Sequence, residues 1–323
     1  MKVKVLKQEE IKESIPHRFE NILLDKCEVT KTVEEIEGKI EITINEKDHL
    51  GREIFLKQKN TKQRVVMEPF FMEILALGSI VSTGKISEGR VALFAAVSNF
   101  KKHRDMLVNE KVSGTVRKIK AKGDFLKYGG ELTNAQNQVI ASGEMMAFYT
   151  KMEDLETVVE KNTVLTWPTA KKAINKENIN KAPEMFLIDN LVSLDEDSLE
   201  ICGDYTYPKT HTLIKGHFPG NPIMMGVMQW MAIADLTYVL AAYLAQKGTK
   251  GRYQIKADAE IVKENGVAVA QAKGMILQVY WQDSVFFDQV EIIETKKIFF
   301  KGMVKPGDKI FIKLSKLELL KNS

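Results

Sequence analysis

The chain has 323 residues, a length that accommodates about two domains of ordinary size. Its composition is 44% hydrophobic and 28% charged, which is typical of a globular protein and excludes a disordered or collagen-like chain. The formal net charge of +4 comes from 47 basic and 43 acidic residues, a balance that does not indicate nucleic-acid binding.

The cysteine content and the apolar segments indicate the compartment. Cys27 and Cys202 are isolated, without a CxxC pair or a His/Cys cluster, so no structural metal site is expected. Cysteine is scarce, and the charged N-terminal segment lacks the apolar core of a secretory signal. Both features predict a cytoplasmic protein. The longest apolar run, near 231–245, is interrupted by Asp235 and is too short to span a bilayer, so no membrane span is expected.

The two halves of the chain repeat the same order of elements. Each begins with a proline, an aromatic residue and an aliphatic–aspartate pair, ending at Asp25 and at Asp189, and continues with β-like alternation. Each then has one helical segment that is apolar nearly all round, near 70–80 and 226–244, which indicates a buried helix. Strand-like runs follow each helix, so the pattern predicts an α+β fold with an antiparallel sheet around one buried helix, twice. The predicted runs are 91–97, 112–119, 125–132 and 139–149, then 253–262, 267–280, 285–293 and 309–314.

A polar stretch separates the halves. Residues 153–181 are rich in Lys, Glu, Asn and Thr, and their apolar residues do not sustain a strand or helix period. We therefore predict an N-terminal domain over 1–152, a linker over 153–181 and a C-terminal domain over 182–323.

Residues 216–226 form the segment most suited to chemistry. Two prolines and three glycines in eleven residues predict tight, rigid turns that lead directly into the second buried helix. His217 lies within these turns, and Gly226 lies at the helix N-terminus, where unpaired amides favour negative charge. A histidine held there could act as a general base beside an oxyanion donor, although a purely structural loop histidine is the alternative.

This loop resembles the active-site motif of the β-hydroxyacyl-acyl carrier protein dehydratases, which have the hotdog fold. Their motif, Gly-His-Phe-Pro-Gly-x-Pro-x-Met-Pro-Gly-Val, is kept here except that Met225 replaces the last proline. The resemblance implies a double hotdog, with the sheets of the two halves joined into one continuous sheet. Weaker matches to the family are Pro16-His17-Arg18-Phe19, Gly123-Asp124-Phe125 and Lys305-Pro306-Gly307-Asp308.

The family places an acid fourteen residues after the motif histidine, and here that position is Met231. Aligning the two helices without gaps, with Met67-Glu68-Pro69 on Met225-Gly226-Val227, puts Glu73 opposite Met231, while the N-terminal half lacks the histidine loop. The resemblance therefore implies one composite site in which His217 and Glu73 face each other across roughly 5–8 Å. Asp235, one turn beyond Met231, is the alternative acid. The other histidines are interpreted as structural: His17, His49, His103 and His211.

The implied reaction is dehydration of 3-hydroxyacyl thioesters on acyl carrier protein to trans-2-enoyl thioesters. By resemblance, the Gly226 amide binds the thioester oxygen, the Ile223 carbonyl orients the imidazole, and Phe218 belongs to the substrate-binding loop. No metal or other cofactor is implied, and homo-oligomers of the double-hotdog unit are compatible with the family. An acidic carrier protein suggests residues 101–104 as a basic contact, with a solvated charge run as the alternative.

Two other functions compete with this one. A hotdog thioesterase would use the carboxylate as a base toward water, which the histidine loop disfavours. A catalytically decayed hotdog protein would only bind acyl chains or a partner, because decay also removes one motif element from each half. Decay requires no particular geometry, whereas the composite site requires His217 and Glu73 to meet.

The strands of the C-terminal half present a second open question. Residues 253–276 resemble the family's last two strands, yet they precede the Pro-Gly-Asp segment at 306–308. Either the sheet of this half is rearranged, or 253–276 is an insertion and the final strands are missing.

Overall fold

The computed structural model describes residues 2–33, 35–45, 54–58, 62–85, 89–151, 172–176, 179–210, 214–249, 251–281 and 289–321. Its three α-helices within these ranges are α1 (Gln8–Ser14), α2 (Pro69–Thr83) and α3 (Gly226–Gln246). The strands before α2 are β1 (Lys2–Lys7), β2 (Lys26–Lys31), β3 (Ile36–Thr43), β4 (Phe55–Lys57) and β5 (Arg64–Val66). Those between α2 and α3 are β6 (Arg90–Lys102), β7 (Lys111–Lys122), β8 (Phe125–Asn134), β9 (Val139–Lys151), β10 (Lys172–Ala173), β11 (Asn190–Asp195) and β12 (Glu200–Thr206). After α3 come β13 (Gly251–Lys263), β14 (Ala268–Trp281), β15 (Gln289–Phe300) and β16 (Lys309–Lys321).

One antiparallel sheet runs through both halves of the molecule. The described strands of this 14-stranded sheet follow the order β1-β2-β3-β7-β8-β9-β6-β15-β14-β13-β16-β12-β11-β10. The halves join where β6 pairs with β15, with Val97 opposite Ile298 and Phe100 opposite Thr295. The α+β double-hotdog fold with a continuous sheet, predicted from the repeat and the resemblance, is confirmed.

Each half wraps its part of the sheet around one apolar helix. Residues 69–82 of α2 are all buried, as the absence of a polar face predicts. Helix α3 has the length and mean hydropathy of a membrane-spanning helix, but 72% of its apolar window is buried within the fold. The two helices also contact each other. At the joint, the Trp230 ring of α3 meets the Phe100 ring of β6 edge to face, with centroids 5.0 Å apart. Both helices are therefore core helices of one double domain.

The aliphatic–aspartate pair has the same role in each half. The Asp25 amide donates to the Glu41 carbonyl at 2.9 Å, and the Asp25 carboxylate accepts from the Thr43 amide at 2.8 Å. Likewise the Asp189 amide donates to the Asp204 carbonyl at 2.7 Å, and its carboxylate accepts from the Thr206 amide at 2.9 Å. A short 3₁₀ helix ends four residues earlier in each case, as Phe19–Asn21 and Pro183–Met185. The internal repeat is thus visible in backbone contacts.

The four strands after each helix have different chain orders in the two halves. From the joint outward, the positions are β6, β9, β8 and β7 in one half and β15, β14, β13 and β16 in the other. Strands β13 and β14 therefore fill the positions of β8 and β9, although they directly follow their helix. The sheet of the C-terminal half is rearranged, which was one of the two alternatives, and the insertion alternative is wrong.

The predicted linker is described only in part. Residues 152–171, as well as His49 and His211, lie outside the described ranges. Toward its C-terminal end, Lys172–Ala173 forms β10 and pairs with β11. The linker and the domain boundaries remain predictions.

Candidate active site

The loop before α3 holds His217 through backbone groups. The Ile223 amide donates to the His217 carbonyl at 2.9 Å, and the His217 Nδ1 lies 3.0 Å from the Ile223 carbonyl oxygen. Because a carbonyl only accepts, Nδ1 carries the proton, and the neutral ring keeps a lone pair on Nε2. The Ile223 carbonyl therefore orients the imidazole, and Nε2 is the atom that can act as a base.

The loop is attached to the opening segment of the N-terminal half. The Arg18 amide donates to the Gly216 carbonyl at 3.1 Å. A Cβ added at Gly216 would lie 2.0 Å from the Arg18 carbonyl oxygen, so only glycine allows this approach. The first glycine of the motif thus joins the two halves beside His217.

Glu73 and His217 come together from the two halves. Glu73 lies on α2 in the N-terminal half, and each side chain is less than a tenth exposed. One carboxylate oxygen of Glu73, one ring nitrogen of His217 and one ring nitrogen of His17 all lie within 4.8 Å of one another. This gap is shorter than the roughly 5–8 Å expected for the catalytic pair. It is short because the His217–Phe218 segment packs directly against His17, with ring centroids 5.0 Å apart for both contacts.

His17 belongs to this cluster, and its interpretation as a merely structural histidine was incomplete. Its Nε2 lies 3.7 Å from Glu73 Oε1, its side chain is buried, and its Nδ1 has no hydrogen-bond partner among the residues that the structure describes. The opening Pro-His-Arg-aromatic segment indicated it in the sequence, but only as a fold marker. The hydrogen bond from the Arg18 amide to Gly216 holds this segment against the loop that carries His217, and His17 lies there next to Glu73.

A cavity of about 320 Å³ opens onto the three side chains. Residues of both halves line it, including the Phe218 ring of the loop, which stacks on the His217 ring at 4.2 Å. Its lining is mostly apolar, which suits an acyl chain. The apolar wall includes Ala76, Leu77, Ile80, Phe94, Met145, Phe148 and Phe300. Besides the three clustered side chains, the polar or charged residues of the lining include Ser79, Thr150, Gln229 and Lys301.

The N-terminus of α3 forms one edge of this cavity. Gly226 is the first helical residue, so its amide has no acceptor within the helix. A Cβ on Gly226 would lie 3.1 Å from the Phe300 ring, so glycine lets this ring pack against the helix end. An amide at this end can donate to an oxyanion next to His217.

Burial sets the charge states of the three groups. It raises the pKa of the Glu73 carboxyl from 4.5 to about 7. It lowers the pKa of His217 from 6.5 to about 4, against the opposing effect of the hydrogen bond to the Ile223 carbonyl. Burial, and to a smaller extent His217 and Arg18, holds the pKa of His17 well below its usual value. Near neutral pH the cluster thus combines two neutral imidazoles with a carboxyl that can hold or release a proton.

The structure does not bring Asp235, the alternative acid, to His217. Its carboxylate accepts from the Lys181 ammonium and, at 2.8 Å, from the Leu187 amide. It lines a separate cavity of only about 30 Å³. Asp235 therefore lies apart from the cluster of His17, Glu73 and His217, in a buried ion pair.

This ion pair lies at the symmetry-related position of the other half. In each half, the short 3₁₀ helix ends four residues before the aspartate, and aligning these segments makes Lys181 correspond to His17. The gap-free alignment of α2 with α3 makes Asp235 correspond to Leu77, one turn beyond Glu73. The second position thus has a Lys–Asp pair where the first has His and Glu.

A second buried network fills the remainder of that position. The Lys102 ammonium lies 2.9 Å from Glu68, 2.6 Å from Asp105 and 2.9 Å from Glu291. Residues 101–104 were predicted as a basic contact or a solvated charge run. Both interpretations are wrong for Lys102, which is 5% exposed, and Arg104 is paired with Glu110 at 2.7 Å.

With this geometry established, the chain can be compared with known proteins. The match is to the FabA-like domain family, over residues 180–285. The matched residues contain the His217 loop and α3, and the resemblance predicted from that loop is confirmed over this part. No curated protein matches the chain.

Solved structures with similarity to the chain include dehydratases. The dehydratase domain from the CurK module of curacin polyketide synthase has 9% identity and a TM-score of 0.44, covering 91% of this chain and 96% of its own. The dehydratase domain of RzxB from Pseudomonas fluorescens has 10% identity and a TM-score of 0.42, covering 91% and 99%. The dehydratase heterocomplex ApeI:P from Xenorhabdus doucetiae has 12% identity and a TM-score of 0.39, covering 47% and 98%.

Proposed function

We propose that the chain dehydrates 3-hydroxyacyl thioesters to trans-2-enoyl thioesters at one composite site. The observation that carries the proposal is the meeting of His217 and Glu73, from separate halves, within 4.8 Å beside a largely apolar cavity. A decayed scaffold requires no such convergence. The geometry therefore favours an enzyme over an acyl-binding remnant.

In the proposed reaction, His217 Nε2 removes a proton from C2 of the substrate. The developing negative charge on the thioester oxygen is stabilised by the Gly226 amide at the N-terminus of α3. The C2–H electrons form the C2=C3 double bond, and the C3–O bond breaks. The hydroxyl leaves as water with the proton of the Glu73 carboxyl. Return of the proton from the His217 imidazolium to the Glu73 carboxylate restores the enzyme.

The charge states support these roles. A base with a pKa of about 4 is unprotonated near neutral pH, as proton abstraction requires. A carboxyl with a pKa of about 7 keeps a substantial protonated fraction there, as proton donation requires. A thioesterase would instead need Glu73 as an ionised base toward water, and its burial opposes that state.

The finer assignments follow from the resemblance. The acyl group is proposed to arrive on acyl carrier protein, and the protein is proposed to work in the cytoplasm in fatty-acid or related acyl-chain synthesis. The test compares the enoyl product formed from one 3-hydroxyacyl group on carrier protein and on coenzyme A. Faster turnover on the carrier protein is expected. A strong preference for coenzyme A would contradict acyl carrier protein as the partner. No dehydration on either carrier would contradict the dehydratase function.

A further inference from the structure

The buried cluster of His17, Glu73 and His217 has the composition of a metal-binding site. His17 Nε2 and Glu73 Oε1 are 3.7 Å apart, and one donor atom of each of the three residues lies within 4.8 Å of the other two. Two imidazoles and one carboxylate are a protein ligand set of zinc sites that leave a fourth position open. Proton transfer between His217 and Glu73 does not require His17, the third donor.

The orientation of His217 fits coordination. Its Nδ1 donates to the Ile223 carbonyl at 3.0 Å, which leaves the lone pair of Nε2 for a cation. A backbone carbonyl bonded to the second ring nitrogen is the usual support of a metal-bound histidine. This bond fixes both the ring and its tautomer before an ion arrives.

The spacing requires only a small adjustment. Zinc bonds to nitrogen and oxygen ligands are about 2.0–2.2 Å long, so tetrahedral donors lie roughly 3.5 Å apart. The 3.7 Å separation already approaches this value, and the largest separation, at most 4.8 Å, exceeds it by about 1.3 Å. Small rotations of the three side chains can close that gap. The adjoining cavity of about 320 Å³ leaves room for the ion to enter and for a fourth ligand.

The other acidic cluster among the described residues shows why this one differs. Carboxylate atoms of Glu68, Asp105 and Glu291 also converge within 4.8 Å, but the Lys102 ammonium lies within 2.9 Å of all three residues. A cationic group of the chain itself therefore holds the place that a metal ion would take. At Glu73, the ion-pair contact within the described part of the chain is with the His17 ring, and no lysine or arginine ammonium or guanidinium of that part pairs with it.

We propose that His17, Glu73 and His217 bind a divalent transition-metal ion of the Zn²⁺ class. The ion joins the N-terminal half to the C-terminal half and occupies the lone pair and the carboxylate used for proton transfer. It therefore acts as an inhibitor of the chain and not as its cofactor. Binding stands on the geometry alone, whereas the inhibition rests on the proposed dehydratase function.

The test of binding is the thermal unfolding of the tag-free full chain with ZnCl₂ in about tenfold excess, with MgCl₂ as the control. An ion that binds only the folded state raises the melting temperature, here by about 2 °C or more, whereas Mg²⁺ prefers oxygen ligands and leaves it unchanged. His17→Ala and Glu73→Gln should each abolish the rise. His103→Ala should keep it, because His103 is exposed and bonded to Ser142. A rise that persists in both cluster variants, or none in wild type, overturns the site.

Cobalt absorption tests the same site without relying on variants that must fold. One Co²⁺ per chain, displaced by Zn²⁺ and showing the visible bands of nitrogen and oxygen coordination, is the expected result. Absence of these bands overturns the site. Inhibition is measured separately, and Zn²⁺ at saturation should reduce dehydration at least tenfold. If the ion binds but wild-type turnover is absent, the proposed function has failed and the metal site has not.

Discussion

Gly226 and Glu68 occupy equivalent positions at the starts of α3 and α2, and they contact equivalent partners at the ends of the two central strands. Gly226 packs on Phe300, the last residue of β15, while Glu68 pairs with Lys102, the last residue of β6. The equivalence is visible in the adjacent backbone, where Met224 donates to Val304 and Val66 donates to Met106. At the start of α3, the glycine has no side chain and lies beside the histidine loop and its cavity. At the start of α2, the glutamate side chain occupies the equivalent space and forms an ion pair. One half thus keeps the cavity and the other closes it.

The composite site predicts the kinetics of three single variants and one double variant. His217→Ala and Glu73→Gln should each reduce dehydration by about a hundredfold or more, and the double variant should be little worse than either. The two losses are not additive because the groups act on the same substrate in one reaction. Asp235→Asn should have a much smaller effect, since Asp235 lies in the Lys181 ion pair. Turnover on carrier protein is the measurement, after circular dichroism has shown each variant to be folded. Full activity of Glu73→Gln with an inactive Asp235→Asn would transfer the acid role to Asp235.

The pH dependence of kcat/KM should be bell-shaped. Below a pH of about 4, His217 is protonated and cannot accept the C2 proton. Above a pH of about 7, Glu73 is ionised and cannot donate to the leaving hydroxyl. Activity should therefore be highest between these values and fall on both sides, as initial rates over this range can measure. A profile that rises through pH 7 would fit a carboxylate base and support the thioesterase alternative.

The raised pKa of Glu73 also predicts a stability effect. Its carboxyl has a pKa of about 7 when folded and about 4.5 when unfolded, so the folded state binds the proton more tightly. The stability from this proton is present below a pH of about 4.5 and is lost as the pH rises through about 7. At about 1.4 kcal/mol for each tenfold change in proton affinity, the loss is about 3 kcal/mol.

Glu73→Gln removes this loss because the amide stays neutral. The free energy of unfolding in urea, taken as variant minus wild type, should therefore rise by about 3 kcal/mol from pH 4 to pH 8. Equal pH dependence of the two proteins would show that Glu73 is not buried as an ionisable acid.

The sequence allowed the architecture and the pair of candidate catalytic residues to be predicted for identifiable reasons. The helices lack a polar face, so their burial follows from composition, and the loop at 216–226 has an unusual density of turn residues. Glu73 is recognisable because a lone carboxylate in an apolar helix is costly unless it has a function. Each of these features lies within one short segment.

The features that could not be predicted depend on contacts between distant segments. His17 joins the site through the Arg18–Gly216 hydrogen bond, and nothing near residue 17 specifies that contact. Buried and exposed side chains alternate along β13 and β14 wherever these strands lie in the sheet. Periodicity alone therefore cannot assign their positions or reveal the changed chain order. The burial of Lys102 likewise requires carboxylates from positions 68, 105 and 291 to converge. In the sequence around it, Lys102 looks like any other charged residue of the basic run at 101–104.

That convergence predicts a large difference between two adjacent lysines. Lys102→Met should leave Glu68, Glu291 and Asp105 without their shared cation, and removing one partner of a buried ion pair costs roughly 3–5 kcal/mol. Lys101→Met is the matched control, because Lys101 is 57% exposed and lies 3.8 Å from the half-exposed Glu294. Its loss should be about 1 kcal/mol or less. Urea unfolding of both variants near neutral pH measures the difference. Part of the Lys102→Met loss should be recovered at about pH 4, because burial raises the pKa of the Glu291 carboxyl and favours its neutral form there. Equal stabilities of the two variants would contradict a structural role for this buried network.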